Sequence, residues 1–568
     1  MTVDVTSTPE LDRVKAAWSP LDFAVRDWMR RMGASEELAE VAAWVSVANR
    51  QSHAAVTDET LAEWIGRRVD PDVYDSEFVV PSKQIRADAT STSRMPLVRD
   101  NQGRLFLYRN YMAEQKVARL INARRVVRPG VGVEASVIAS LFGPAVGDAD
   151  ELQRRAVAMA ADKNIFLLAG GPGTGKTSTV FRMLMAKQLR ADDVALAAPT
   201  GKAAKRLTEA LRDAAGKSEH SNGLETVQAK TVHRFLIEME QGLIKVPTTV
   251  VIDEASMLDI DLLLKVLETL PADCQLILVG DPNQLMSVGT GTVLSDLVAA
   301  FDGTDFMVEL THNFRVANSP ELVRLNSAAL NNQPETFVEI VAGLMDVGGK
   351  DAFERTMDLW ADEFAQDLGD LKGSEAHLQA TSKRQLLCAV RQGRWGVESI
   401  NRELERRLRR DPIRAAQGEW FEGRRILVTE HHYGLGLFNG DVGVCQVDAS
   451  THSREVVFES VPDESGAVSY RRIPVASLPA YEPAWAMTIH KSQGSEYSRI
   501  GVVLPPGPSS RILSRQLIYT AVSRAKSDPL VESAAQSVRL WADRETLDAG
   551  LTHAATRMGG LRDALLGI

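Results

Sequence analysis

The stretch NIFLLAGGPGTGKTS, residues 164–178, sets Gly170, Gly175, Lys176 and Thr177 in the spacing G-x-x-x-x-G-K-[ST], between an apolar run and a helix-like segment. Glycines at such a turn let successive backbone N–H groups face inward, and the following helix adds the positive end of its dipole, so the loop can cradle phosphate oxygens. On this reading Gly171, Pro172, Gly173, Thr174, Gly175 and Ser178 wrap a nucleotide's phosphates. Lys176 reaches the β and γ phosphates, and Thr177 offers a hydroxyl to Mg²⁺. A second apolar run, TTVVIDEAS, ends in Asp253 and Glu254. Parallel strands expose their C-terminal ends along one sheet edge, which brings these carboxylates beside the loop, Asp253 for the metal shell and Glu254 to polarise an attacking water. A third run, LILVGDPNQL, ends in Gln284, whose amide can donate to a γ-phosphate oxygen and accept from a water. Taken singly, a strand-end DE or GDPNQ is an ordinary polar turn. Their order after a phosphate loop favours the chemical reading.

The elements that must hold these residues alternate in type. NIFLLAG, DVALAAPT, TTVVIDEAS and CQLILVGDP are short apolar runs separated by helix-like segments such as KAAKRLTEALRDAA and IDLLLKVLETL. Buried strands alternating with helices predict a parallel sheet covered on both faces, over residues 146–325. A second alternation from about 380 to the end has candidate strands at RILVTE, AWAMTIH and RIGVVLP and a helix at LSRQLIYTAVSRA. Period-two runs between residues 441 and 475 predict a small antiparallel β insertion in this lobe, which occupies 326–568. Residues 1–145 carry amphipathic patterns, LDFAVRDWMRRM and NYMAEQKVARLINARR, that predict a mostly helical domain. The fold class is α/β.

Composition narrows the function further. With 44% hydrophobic and 25% charged residues the 568-residue chain reads as a soluble multidomain protein, and no window is apolar enough to span a membrane. The opening MTVDVTSTPE lacks the basic and apolar regions of a signal peptide, so a cytoplasmic location is expected. A net charge of −10 argues against a general basic coat for nucleic acid, leaving a local groove. Cys274, Cys388 and Cys445 are far apart and read as buried thiols, not a metal or disulfide framework. The arginine-rich NRELERRLRRDPIR reads as a solvated helix face because Glu403 and Glu405 interleave its cations.

GGPGTGKT, APTGKAAKRL, TVHRFL, DEAS, GDPNQL, NFR, AMTIHKSQGSEY and YTAVSRAK occur in the order seen in superfamily 1 helicases. With WFEGRRILVTEHHYGLGLFNGDVGV and RLFLYRNYMAEQKVARLI, the chain resembles the RecD family, the alpha subunits of exodeoxyribonuclease V (RecBCD). That resemblance implies two RecA-like P-loop lobes, an SH3-like insertion, ATP and Mg²⁺ in the cleft between lobes, and single-stranded DNA across their tops. It assigns adenine contact to Gln153, positive charge at the γ-phosphate to Arg315 and Arg524, and a nucleotide-facing turn to Gly494 and Glu496. It places Pro199, Thr200, Lys202, Thr231, His233, Asn439, Thr488 and His490 along DNA. For Thr231 and His233 a helix cap and a satisfied histidine remain open, as does a plain polar turn for Lys491 or Gln493. The family further implies a 5′→3′ motor in a bacterial heterotrimer with RecB-like and RecC-like subunits, acting on duplex DNA ends, with the nuclease on another chain.

After Lys526 this chain departs from the family pattern and reads SDPLVESAAQSVRLWAD, which delays the last strand to about SVRLW. Two other functions compete with the motor. An interaction subunit with an idle ATP site has no physical need for all of Lys176, Asp253, Glu254, Gln284 and Arg524. A small-molecule P-loop kinase has no use for a second α/β lobe or for AMTIHKSQGSEY.

Overall fold

The run Ile165–Gly170 lies second in a six-stranded sheet whose strands are all parallel. Its order is Met307–Leu310, Ile165–Gly170, Gln275–Gly280, Thr249–Ile252, Val194–Ala198 and Lys230–Thr231. The four inner strands are almost wholly apolar because both faces are covered, whereas the edge strands carry Glu309, Lys230 and Thr231. Successive side chains point to opposite faces. Ile165 and Leu167 pack with Val117, Ile121 and Leu263, whereas Phe166 and Leu168 pack with Val180, Leu184 and Leu207. The computed structural model describes residues 18–85, 96–128, 132–142, 150–218, 221–314, 319–349, 351–370, 373–381, 383–448, 451, 453–460, 469–507, 512–528 and 533–568.

The second lobe repeats the plan with a four-stranded parallel sheet, in the order Ala486–Thr488, Arg384–Cys388, Arg499–Val503 and Val538–Trp541. Its last strand falls where SVRLW is expected. Leu386 and Cys388 face a layer containing Trp360 and Phe364, and Leu387 faces Leu517 and Ile518. The fold is therefore α/β with two covered parallel sheets. Among the described residues no helix is long and apolar enough to cross a membrane.

The antiparallel insertion is wider than the 441–475 expectation. Its five strands run in the order Tyr470–Pro474, Arg454–Glu459, Val442–Val447, Arg425–Val428 and Tyr481–Pro483. Arg425–Val428 thus belongs here and not to the parallel sheet of the lobe. The run looked like a parallel strand because it is buried on both sides: Ile426 and Val428 face the insertion's own core, and Leu427 faces the lobe.

The N-terminal region is mostly helical, with helices such as Pro20–Met32 and Glu36–Arg50, and adds a four-stranded sheet of two- and three-residue strands. Strands so short carry too few alternating residues to show a period. Two segments cross the expected domain limits. Helix Tyr108–Arg124 packs into the first lobe's core through Val117 and Ile121, and the last helix, Leu561–Leu566, joins that same core instead of the second lobe. The tail before it is tied to the N-terminal region, where Ala54 N and Ala55 N donate to Met558 O.

The arginine-rich stretch is solvated as expected at Arg402, Arg406, Arg409 and Arg410 and departs from that expectation at Glu405 and Arg407. In helix Val397–Leu408, Arg407 is buried against Glu354, Asp358 and Glu403, and Arg424 pairs with the buried Glu405. A buried guanidinium must keep its carboxylates, so Arg407 and Glu405 belong to an internal ion-pair network while Arg402, Arg406, Arg409 and Arg410 stay exposed. All three cysteines are free and buried.

Candidate nucleotide site and the contacts that join the lobes

The phosphate loop leaves its strand at Gly170 and turns through Gly173 and Gly175, both at φ 80°, before helix Lys176–Ala186 begins. A side chain is costly at that left-handed backbone, which is the reason for glycine there. Lys176 Nζ donates to Gly170 O at 2.7 Å and Gly171 O at 2.9 Å, so its ammonium lies over the loop that phosphates would fill. Phe314 N donates to Gly173 O at 2.8 Å. Gln153 is buried beneath the loop, donating from Nε2 to Thr174 O at 3.2 Å and accepting at Oε1 from Arg182 at 2.8 Å. Both ends of its amide are engaged in bracing the loop.

Strand Thr249–Ile252 delivers Asp253 and Glu254 to the same sheet edge. Asp253 accepts from Glu254 N at 2.9 Å. Burial, and then the neighbouring Glu254 carboxylate, push the Asp253 carboxyl up to about 6, against the pull of Lys176 and Arg206. Glu254 takes φ 53°, left-handed backbone that costs a non-glycine residue about 1 kcal/mol and is found at functional sites more than elsewhere. The third strand end supplies Asp281, buried, which accepts from Asn283 N at 2.9 Å, Gln284 Nε2 at 3.1 Å and the Tyr519 hydroxyl at 3.1 Å. With its Nε2 used in this way, Gln284 keeps a buried Oε1 that has no partner among the described residues. The acceptor half of the amide is the half available to a water.

Lys176, Thr177, Asp253, Glu254, Gln284 and Arg524 line one cleft of about 380 Å³, together with Pro172, Gly173, Gly175 and Ser178 of the loop. Arg524 comes from the second lobe, with Nε donating to Thr520 O at 3.0 Å and Nη2 to Ser523 Oγ at 3.1 Å. Arg206 of helix Gly201–Gly216 lines the same cleft, though the sequence reading gave it no role. Its only signal was its place four residues after Lys202, on the same face of a helix that opens at a strand end. Arg315 lies outside the described residues.

Side-chain hydrogen bonds join the lobes around this cleft. Leu285 N donates to Thr520 Oγ1 at 2.9 Å, Gln493 Nε2 to Leu285 O at 3.3 Å, and the Tyr519 hydroxyl reaches Asp281. Tyr519 also approaches the phosphate loop, where a Cβ on Gly171 would stand 3.0 Å from its hydroxyl. In AMTIHKSQGSEY, then, Gln493 is more than part of a polar turn, and Lys491 pairs with Glu482 of the insertion at 2.7 Å. Gly494 and Glu496 line not the cleft but an adjoining cavity of about 400 Å³. Glu496 is ion-paired there with Arg206, whose side chain borders both spaces.

The residues expected along DNA lie in different surroundings. Pro199 and Thr200 follow strand Val194–Ala198, and Thr231 ends strand Lys230–Thr231; both threonines cap helices, accepting from Ala203 N and Arg234 N at 3.2 Å. His233 and Asn439 are exposed. Lys202 faces the inter-lobe cavity with Asp441, and burial pushes its ammonium down to about 8. Thr488 ends its strand and accepts from Lys491 N at 3.2 Å. His490, half-buried near Arg557, is held below the usual histidine range first by burial and then by that charge, so it would act as a neutral hydrogen-bonding group. Phe438, beside Asn439, closes over Gly201, leaving no room for a Cβ.

Residues 153–290 match the family described as AAA domain, and residues 483–528 match the UvrD-like helicase C-terminal domain. Over 491 residues the chain is 34% identical to "RecBCD enzyme subunit RecD" of Mycolicibacterium smegmatis, spanning 81% of this chain and 82% of that protein. The chain belongs to the RecD family. Haemophilus influenzae RecD is 27% identical over 538 residues, 81% of this chain and 80% of its own. The ATP-dependent RecD2 DNA helicase of Deinococcus radiodurans is 28% identical over 434 residues, 75% of this chain and 54% of that one. In this RecD-family chain the first matched segment runs from Gln153 through the phosphate loop, the DE pair and Gln284, and the second contains the Gln493 and Arg524 contacts.

Proposed function

We propose that this chain is the ATP-driven 5′→3′ DNA motor of a RecBCD-type helicase–nuclease, working in double-strand break repair and recombination. The observation that carries the proposal is the cleft itself. Lys176, Asp253, Glu254 and Gln284 from one lobe meet Arg524 from the other, and Tyr519, Thr520 and Gln493 tie the lobes at the same strand ends. Hydrolysis there would be felt by both lobes at once.

The geometry is compatible with a role for each residue. Loop N–H groups and Lys176 hold the triphosphate, displacing the ammonium from Gly170 O and Gly171 O. The Thr177 hydroxyl and the Asp253 carboxylate suit Mg²⁺, a hard cation that takes oxygen ligands. When bound, Mg²⁺ would neutralise charge on the β and γ phosphates. Glu254 and the open Gln284 Oε1 orient the attacking water, and Arg524 places positive charge where the leaving phosphoryl group carries negative charge. Pro199, Thr200, Thr231, Thr488 and His490 follow or end strands on the C-terminal edges of the two sheets and would contact the DNA backbone.

The N-terminal region ahead of helix Tyr108–Arg124 would dock on a gamma-type subunit, with residues 146–325 and helices Tyr108–Arg124 and Leu561–Leu566 forming one motor lobe and the rest of 326–568 the other. RecB-like and RecC-like partners, the nuclease among them, and a cytoplasmic location follow from the same reading. Lys176→Gln tests it. The variant should fold and lose DNA-stimulated ATP hydrolysis, and undiminished hydrolysis would overturn the proposal. A reconstituted complex unchanged by Lys176→Gln would instead favour an interaction subunit with an idle ATP site.

A further inference from the structure

Arg206 stands in the wall between two spaces. On one side is the cleft with Asp253, Glu254 and Arg524, and on the other the cavity that holds Glu496. Its guanidinium pairs with Glu496, neither side chain being fully buried. Burial before any other cause, and then the like charge of Arg524, hold its guanidinium below the ordinary range, while Glu254 and Asp253 stabilise its charge from the cleft. A cation in this position has two anionic neighbourhoods to choose between. A bound triphosphate would add several negative charges to one of them only.

The turn that carries Glu496 is not free to ignore such a choice. Gly494, at φ 72°, packs against Ala203, one turn before Arg206 on its helix. Gln493 reaches Leu285, the neighbour of Gln284. Tyr497 N donates to Arg524 O at 2.9 Å, and Lys526 N to Tyr497 O at 2.9 Å. Release of Glu496 by Arg206 would therefore unload a turn joined by hydrogen bonds to the neighbour of Gln284 and to Arg524 itself.

We propose that Arg206 is a positioning residue whose guanidinium is shared between Glu496 and the nucleotide's phosphates, so that exchange of one partner for the other transmits nucleotide occupancy to the DNA-facing turn Thr488–Glu496. The proposal rests on the cleft being the ATP site. It supplies what an allosteric link requires, a discrete element whose two states are biased by different ligands.

The competition fixes opposite signs for the two partners. In the full chain, Glu496→Gln removes the rival carboxylate, so a fluorescent ATP analogue without DNA should bind about fivefold more tightly, the lower range of such couplings. Arg206→Gln should weaken binding by a similar factor. Combining the two should give the Arg206→Gln affinity, because Glu496 then has no cation to withhold. Both single variants should lose most of the ratio of DNA-stimulated to basal ATP turnover, and Arg206→Lys should restore part of it. Unchanged melting temperatures exclude a folding effect, and Glu496→Ala, which also removes the carboxylate, serves if Glu496→Gln melts early. Weaker nucleotide binding by Glu496→Gln would overturn the proposal, because Glu496 would then contact the nucleotide itself. Independent, additive effects of the two substitutions would overturn it as well. Failure of the wild-type chain to bind the analogue would count against the ATP site and not against this coupling.

Discussion

The Tyr519 hydroxyl donates to the Asp281 carboxylate across the lobe boundary at 3.1 Å, beside the phosphate loop. Asp281 is buried, and burial raises its carboxyl above the ordinary range, so each donor it keeps matters to its charged state. The bond links strand Gln275–Gly280, which leads to Gln284, with helix Arg515–Val522, which leads to Arg524.

Tyr519→Phe should therefore uncouple the lobes without unfolding either. Losing about 1.4 kcal/mol of lobe closure is tenfold in rate. DNA-stimulated turnover should fall by about that factor. Circular dichroism and the affinity for nucleotide alone should stay close to wild type.

Gln284→Ala removes the open acceptor in the cleft and one donor to Asp281. Positioning of an attacking water typically contributes about 10²-fold or more, so kcat should drop by that order with KM little changed. Single-turnover hydrolysis with saturating nucleotide reads this directly. A loss confined to KM would show that the residue binds instead of orienting.

Arg557 of the C-terminal tail donates to Ser287 O at 2.5 Å, Gly289 O at 2.7 Å and Gly291 O at 2.9 Å, fixing the loop that follows Gln284. Arg557→Ala strands those carbonyls and should cost about 2 kcal/mol. Faster proteolytic cleavage near residue 288 and a weaker response to DNA should accompany it. Arg557→Lys, with one donor group in place of a fork, should fall between.

Glu114 is buried, accepts from Gly560 N at 2.8 Å, and is pushed up to about 8, by burial before any other cause. An unfolded glutamate titrates near 4.5. Between those values the folded chain holds a proton that the unfolded chain has lost, so stability falls as pH rises through this window and levels off above about 8. The melting temperature should drop by several degrees between the two ends. Glu114→Gln, which mimics the protonated side chain, should flatten the dependence.

The sequence alone determined the phosphate loop, the strand-end carboxylates, Gln284 and two covered parallel sheets, because each depends on residues close together in the chain. A strand, a glycine turn and a helix N-terminus are set by local propensity and period, and a parallel sheet puts its strand ends on one edge whatever packs around it. Strand Arg425–Val428 escaped that logic: burial on both sides looks the same whether the second layer is a helix or a β insertion. Arg206, Asp281, Tyr519, Gln493 and Arg557 escaped it too. Each is defined by a partner on a distant segment, such as Glu496 for Arg206 or Ser287 for Arg557. Spacing in the chain carries no record of such pairings. Only the tertiary structure decided them, because they form where separate elements close on one another and bury charge together.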